Sequence, residues 1–114
     1  RTWFEKIVIK GNFLINNEVS PLTIPSYTIF ELYGKFTATN KTKTMIRVHG
    51  NYTVIRYGTY DGNRGTDIDT QDSPIRVIQI DNSNFVIVEN VKVVNGYSRC
   101  IEVDDGSAVT LRNI

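Results

Sequence analysis

Cysteine and histidine are nearly absent: the 114 residues contain one of each, Cys100 and His49. A disulfide framework within the chain is therefore impossible, and so is a zinc site made of several Cys or His ligands. No stretch approaches the roughly 18 to 20 uninterrupted apolar residues of a membrane-spanning helix, and Arg1-Thr2-Trp3-Phe4 has no signal-peptide core. Gly-x-Ser-x-Gly, the phosphate loop and the dinucleotide fingerprint are missing as well. Neither sign of charge dominates. Thirteen basic against twelve acidic residues leave a net charge of +1, without the basic excess expected of a nucleic-acid-binding domain. Apolar residues nowhere keep helical spacing across ten or more positions, so almost no α-helix is expected.

What is present is a series of short β-branched and aromatic runs. Ile7-Val8-Ile9, Thr28-Ile29-Phe30, Ile46-Arg47-Val48, Thr53-Val54-Ile55, Val77-Ile78-Gln79-Ile80, Phe85-Val86-Ile87-Val88, Val91-Lys92-Val93-Val94 and Ile101-Glu102-Val103 read as strands. Turn formers separate them, among them Gly11-Asn12, Pro25-Ser26, Gly50-Asn51, Asn82-Ser83-Asn84, Asn95-Gly96 and Asp105-Gly106. The runs repeat. Ile78-Gln79-Ile80-Asp81 returns as Ile101-Glu102-Val103-Asp104 after 23 residues, and the same shift carries Val86 onto Val109, Val88 onto Leu111 and Asn90 onto Asn113. It matches worst at Asn84 over Ser107 and Phe85 over Ala108. Upstream, Ile24 to Ile29 resembles Val48 to Val54 and Tyr33-Gly34 returns as Tyr57-Gly58, a shift of 24 or 25.

A period of this length made of strands predicts stacked coils, each burying an apolar face on its neighbours. The expected fold is all-β: one single-stranded parallel β-helix over residues 1–114, with about 4 to 5 coils of 22 to 25 residues. Strand parity points Ile46, Val48, Ile78, Ile80, Ile101 and Val103 inward and Arg47, Gln79 and Glu102 outward. Asn90 over Asn113 predicts an amide ladder. Cys100 shares a column with Met45 and Val77 and reads as a packed thiol, while Trp3-Phe4 is placed to cover the open end of the core.

Residues 1–56 hold eight Lys/Arg against three Glu, about +5, and residues 57–114 hold five against nine acids, about −4. In a solenoid, sequence position maps onto axial position, so this split places opposite charges toward opposite ends. The chain starts without methionine and stops at Ile114 within a strand pattern, which suggests a segment of a longer chain or a subunit completed by a second copy. Two sequons, Asn40-Lys41-Thr42 and Asn51-Tyr52-Thr53, would be glycosylated only in a secretory setting.

The largest interruption of the repeat is 61–74, expected to protrude as a loop and to carry binding residues. Leu22-Thr23-Ile24-Pro25-Ser26, Leu32-Tyr33-Gly34, Gly58-Thr59-Tyr60-Asp61-Gly62-Asn63, Asn90-Val91 and Val103-Asp104-Asp105-Gly106 together resemble the N-terminal coils of right-handed parallel β-helix proteins. The resemblance is to the pectin lyase-like superfamily, of the pectate lyase and polygalacturonase type. It implies right-handed coils and a polysaccharide partner, as part of a lyase or glycoside hydrolase acting on acidic polysaccharide at the cell surface or outside the cell. Of the hydrolases' carboxylate and basic motifs only Asp104-Asp105 occurs, and Asp-Asp-Gly is also ordinary turn chemistry. A lyase needs calcium-bound carboxylates and an Arg or Lys base, for which Arg76 is a candidate. Asp61, Asn63, Asp67, Asp69 and Asp72 occupy positions 1, 3, 7, 9 and 12 of a window that partly matches calcium-loop spacing. Arg64 and Arg76 could hold a carboxylated sugar or pair with a loop Asp. Among the tyrosines that could stack on a pyranose, Tyr60 beside the Asp-Gly-Asn turn is the best placed, ahead of Tyr57 and Tyr97; Tyr27 and Tyr52 read as structural. The alternative to an enzyme is a noncatalytic β-helix module that binds carbohydrate or assembles end to end.

Overall fold

The computed structural model describes residues 3–64, 76–96 and 99–114. Nine strands are found among them: β1 (Glu5–Ile15), β2 (Leu22–Ile24), β3 (Thr28–Ala38), β4 (Ile46–Val48), β5 (Thr53–Arg56), β6 (Thr59–Asp61), β7 (Arg76–Glu89), β8 (Lys92–Val94) and β9 (Arg99–Arg112). Every pairing between them is parallel, and the described residues contain no helix. The coils stack as a β-solenoid of about four turns.

Register turns the sequence repeat into columns. Leu22, Ile46, Ile78 and Ile101 lie above one another, as do Ile24, Val48, Ile80 and Val103. On the next side, Thr28, Thr53, Val86 and Val109 form one inward column and Phe30, Ile55, Val88 and Leu111 another. Phe13, Phe36, Tyr60 and Val93 form a third wall. Each column removes aliphatic or aromatic surface from water, worth about 1.5 to 3 kcal/mol per fully buried side chain. Burial follows axial position as well as parity: Ile46, Ile78, Ile80 and Val88 are buried, whereas Val103 and Leu111 on the last coil are exposed. The same effect corrects the reading of Cys100. It shares the expected column with Val77, but no described coil lies over it and the thiol is exposed.

Corners use the left-handed backbone region. Tyr27, Tyr52, Phe85 and Ala108 have φ of 56°, 60°, 60° and 51°, and Tyr57, Asn90 and Asn113 have 68°, 54° and 54°. Asparagine tolerates this conformation; bulky residues adopt it at a cost of roughly 1–2 kcal/mol each. β7 carries one residue more than the β4–β5 segment beneath it, because Ile46 pairs with Ile78 but Thr53 pairs with Val86. The extra residue is Asn82, with φ 46°, and Asp105 sits above it with φ 58°. At Gly34, with φ 156°, a Cβ would stand 1.8 Å from the Gly11 carbonyl oxygen, so the close approach of coils one and two requires glycine there.

Polar side chains close the remaining corners. Asn17 is buried and bridges to the next coil: its amide nitrogen donates to the carbonyls of Asn40 at 2.8 Å and Lys43 at 3.0 Å, and its oxygen accepts from Asn40 N at 2.8 Å. Ser83, also buried, accepts from Gly50 N and donates to Val48 O. The expected amide ladder is present, with Asn113 Nδ2 donating to Asn90 Oδ1 at 3.0 Å.

Candidate functional site

The outer surface of β3, β5, β7 and β9 carries three parallel columns, each produced by strand parity. At the corner are aromatic rings. Phe4 meets Tyr27 edge-on at 5.7 Å, Tyr27 stacks on Tyr52 at 5.1 Å, and Tyr52 stacks on Phe85 at 4.9 Å with the planes 4° apart. Each such contact contributes about 0.5 to 1.5 kcal/mol beyond burial, enough to offset much of the left-handed backbone that the corner imposes. Tyr27 and Tyr52 occupy equivalent sites in neighbouring coils, as the repeat requires. Phe4 belongs to this outer column, and Trp3 is 64% exposed, so neither ring covers the end of the core.

Two residues along each strand come the aliphatic side chains Ile29, Val54 and Ile87, followed on β9 by Thr110. A further two residues along lies a charge column of Glu31, Arg56, Glu89 and Arg112. Its signs alternate from coil to coil. Arg56 Nε donates to Glu31 at 2.7 Å, and Arg112 lies 2.7 Å from Glu89. Lys6 approaches Glu31 to 3.4 Å, and the Tyr33 hydroxyl donates to it at 2.8 Å. Burial pushes the Glu31 carboxyl up, but hydrogen bonds from Tyr33, Arg56 and Lys6 overcome this and hold it below the usual carboxylate range. Between the rings and the charges runs a groove of about 370 Å³, walled by Tyr52 and Phe85, floored by Val54, Ile87 and Thr110, and reaching Ala108.

A larger hollow of about 610 Å³ borders Thr23, Pro25, Ser26, Tyr27 and His49. His49 leans to Asp81 at 3.6 Å, and Asp81 also accepts from Arg47 Nε at 3.1 Å. The Arg47 hydrogen bond holds the Asp81 carboxyl below its usual range, outweighing desolvation. The hollow has no aliphatic floor beneath an aromatic wall, so the groove is the better candidate for a ligand with an apolar face.

No protein-family model, curated protein or solved structure matches the chain.

The sites expected from sequence divide accordingly. Tyr60 is overturned as a stacking platform: its ring is fully buried between Phe36 and Val93, because in β6 it falls on the inward parity. Asp61 is the last residue of β6 rather than the start of a loop, and it is buried. Its carboxylate pairs with Lys35 at 3.2 Å and accepts from Asn63 N at 2.8 Å and Asn95 Nδ2 at 2.9 Å. Burial raises the Asp61 carboxyl, and those donors more than reverse the shift. The Asn63 side chain donates to Ala38 O at 3.2 Å. Asp67, Asp69 and Asp72, together with Tyr97, lie outside the described residues, as does most of the 61–74 segment. Among the described residues no three His, Cys, Asp or Glu side chains are grouped to hold a metal ion.

Arg64 is half-buried, with its backbone N–H donating to Asn95 O at 3.2 Å. Arg76 pairs with Glu102 on the next coil, Nε donating at 2.8 Å. Asp104 sits over Asp81, and Asp105 over Asn82 in the left-handed corner, which is the turn reading of Asp-Asp-Gly. The charge column and the exposed aromatic column were missed in the sequence, although the spacing from Tyr27 to Tyr52 already marked the corner.

Proposed function

We propose that this solenoid is a noncatalytic carbohydrate-binding module that holds a polysaccharide along its outer aromatic and aliphatic columns. The observation that carries this reading is the exposed, axially aligned aromatic column beside an apolar groove, in which Tyr52 is 39% and Phe85 52% exposed. Sugars pair an apolar C–H face with a hydroxyl rim, and a groove with aromatic and aliphatic walls beside a hydrogen-bonding charge column offers partners for both. The pectin lyase-like resemblance supports a polysaccharide as the partner.

Binding is favoured over cleavage because, among the described residues, two of the charged side chains that a lyase or hydrolase would use are already paired and a third sits in a left-handed corner. Arg76 is held by Glu102, Asp61 by Lys35, and Asp105 occupies a corner. End-to-end assembly is less favoured. A copy stacked in continuing register would bring its Glu5 into the inward column of Thr28, Thr53, Val86 and Val109, and desolvating a carboxylate costs several kcal/mol.

The test is a calorimetric screen of the intact chain against neutral glycans (β-glucan, mannan, xylan) and acidic ones (polygalacturonate, alginate). Binding of at least one polymer, weakened by Tyr52→Ser without loss of the folded circular-dichroism signal, is expected. Absence of binding to every polymer at millimolar sugar concentration would overturn the reading.

A further inference from the structure

The aromatic column stops one coil short. Its rungs are Phe4, Tyr27, Tyr52 and Phe85, and the fifth position is Ala108, whose backbone keeps the same left-handed conformation with φ 51° against 60° at Phe85. Tyr27 and Tyr52 have ring neighbours on both sides. Phe85 has Tyr52 beneath it and only a methyl group above, and at 52% it is the most exposed ring of the column.

We infer, on the basis of the binding function proposed above, that one uncharged pyranose ring of the glycan seats on the open face of Phe85, where a fifth aromatic rung would otherwise lie. A pyranose presents C–H groups to the aromatic face, so it continues the roughly 5 Å stacking already set by the Tyr27–Tyr52 and Tyr52–Phe85 contacts. Its hydroxyl rim falls beside Ser107 and Thr110, which flank the vacancy on the same strand. Ser107 donates to Asn84 Oδ1, which fixes its oxygen with lone pairs still able to accept from a sugar hydroxyl.

Two observations select an uncharged ring. The nearest cation in the charge column, Arg112, is neutralised by Glu89, with Nε donating at 2.9 Å. In addition, Asp104 and Asp105 are exposed on β9, the strand that carries Ala108, so a polyanion approaches this coil against their charge.

The experiment titrates wild type, Ala108→Phe and Phe85→Ala with cellohexaose, mannohexaose and hexagalacturonate. A phenylalanine at 108 suits the backbone, since three aromatic residues already hold that conformation in the column, so Ala108→Phe is expected to raise the melting temperature. It should also weaken binding of the neutral hexasaccharide by about tenfold, and Phe85→Ala should do the same. Saturation transfer from the aromatic protons to the sugar ring protons should appear in wild type and vanish in Phe85→Ala. If wild type binds a neutral hexasaccharide but Ala108→Phe binds it equally well, the seat on Phe85 is wrong while the binding function stands. Tighter binding of hexagalacturonate than of either neutral sugar would likewise overturn the inference alone. Failure of wild type to bind any of the three, or any polymer of the wider screen, would remove both. Should Ala108→Phe fail to fold, the Phe85→Ala titration decides.

Discussion

Tyr60 provides a test of the packing. Its ring is fully buried in the column of Phe36 and Val93, and its hydroxyl is a buried polar group without a hydrogen-bond partner among the described residues. Burial raises the phenol far above its ordinary value, so the group stays protonated at any ordinary pH. Leaving a donor and acceptor desolvated and unmatched costs about 1 to 3 kcal/mol. Tyr60→Phe removes that penalty, leaves the ring in its edge-on contact with Phe36 at 6.0 Å, and vacates only the volume of one oxygen. The lost packing around that oxygen returns part of the gain, so a net stabilisation of about 1 kcal/mol is expected. In a domain of this size that corresponds to a rise of roughly 4 °C in melting temperature. Urea denaturation followed by circular dichroism measures it, with Tyr60→Leu as the contrast. The leucine variant forfeits the ring and should lose about 2 to 4 kcal/mol. A Tyr60→Phe variant less stable than wild type by more than about 0.5 kcal/mol would refute the reasoning, since the hydroxyl would then be making a favourable hydrogen bond.

Asn17→Ala removes the amide that ties the first corner to the backbone of Asn40 and Lys43, leaving buried carbonyl and N–H groups unmatched, and should cost about 3 kcal/mol in the same urea assay. Glu31, Asp61 and Asp81 all titrate below their ordinary values of 4.5, 3.8 and 3.8. Groups depressed by folding contribute stability that is fully present above those values and is lost as pH falls through the lower folded ones. The urea midpoint should therefore be flat from pH 7 to about pH 5 and drop steeply below about pH 4, with a smaller drop in Glu31→Gln; a midpoint independent of pH down to about 3 would contradict the ion-pair network.

The solenoid was legible because its inward columns repeat in kind: isoleucine or valine falls on isoleucine or valine, and strand parity does the rest. The charge column was not, for two physical reasons. Its members alternate between Glu and Arg, so they look dissimilar under any shift, and the spacing between Glu31, Arg56, Glu89 and Arg112 varies because loops of different length separate equivalent strand positions. Tyr60 was misplaced by proximity: an Asp-Gly-Asn turn follows it, yet parity with Phe36 puts it inside. Cys100 was misplaced by the opposite error, since a column buries a residue only where another coil covers it.

The candidate binding position was present in the sequence as a defect. Under the shift of 23 residues most positions of the last two coils match, and the poorest match is Asn84-Phe85 over Ser107-Ala108. Structure gives that mismatch a meaning, because the column it interrupts is on the outside. An inward Phe-to-Ala change would leave a cavity costing about 3 to 5 kcal/mol. On the outer corner the same change leaves one aromatic face open to solvent and costs only the stacking contact, about 0.5 to 1.5 kcal/mol. A repeat protein can therefore shed a rung at its surface without endangering the fold, and departures from the repeat on outward columns are where ligand contacts can arise. The outward position that breaks the column, Ala108, follows this rule, and the inward positions Ile101 and Val109 beside it keep the repeat.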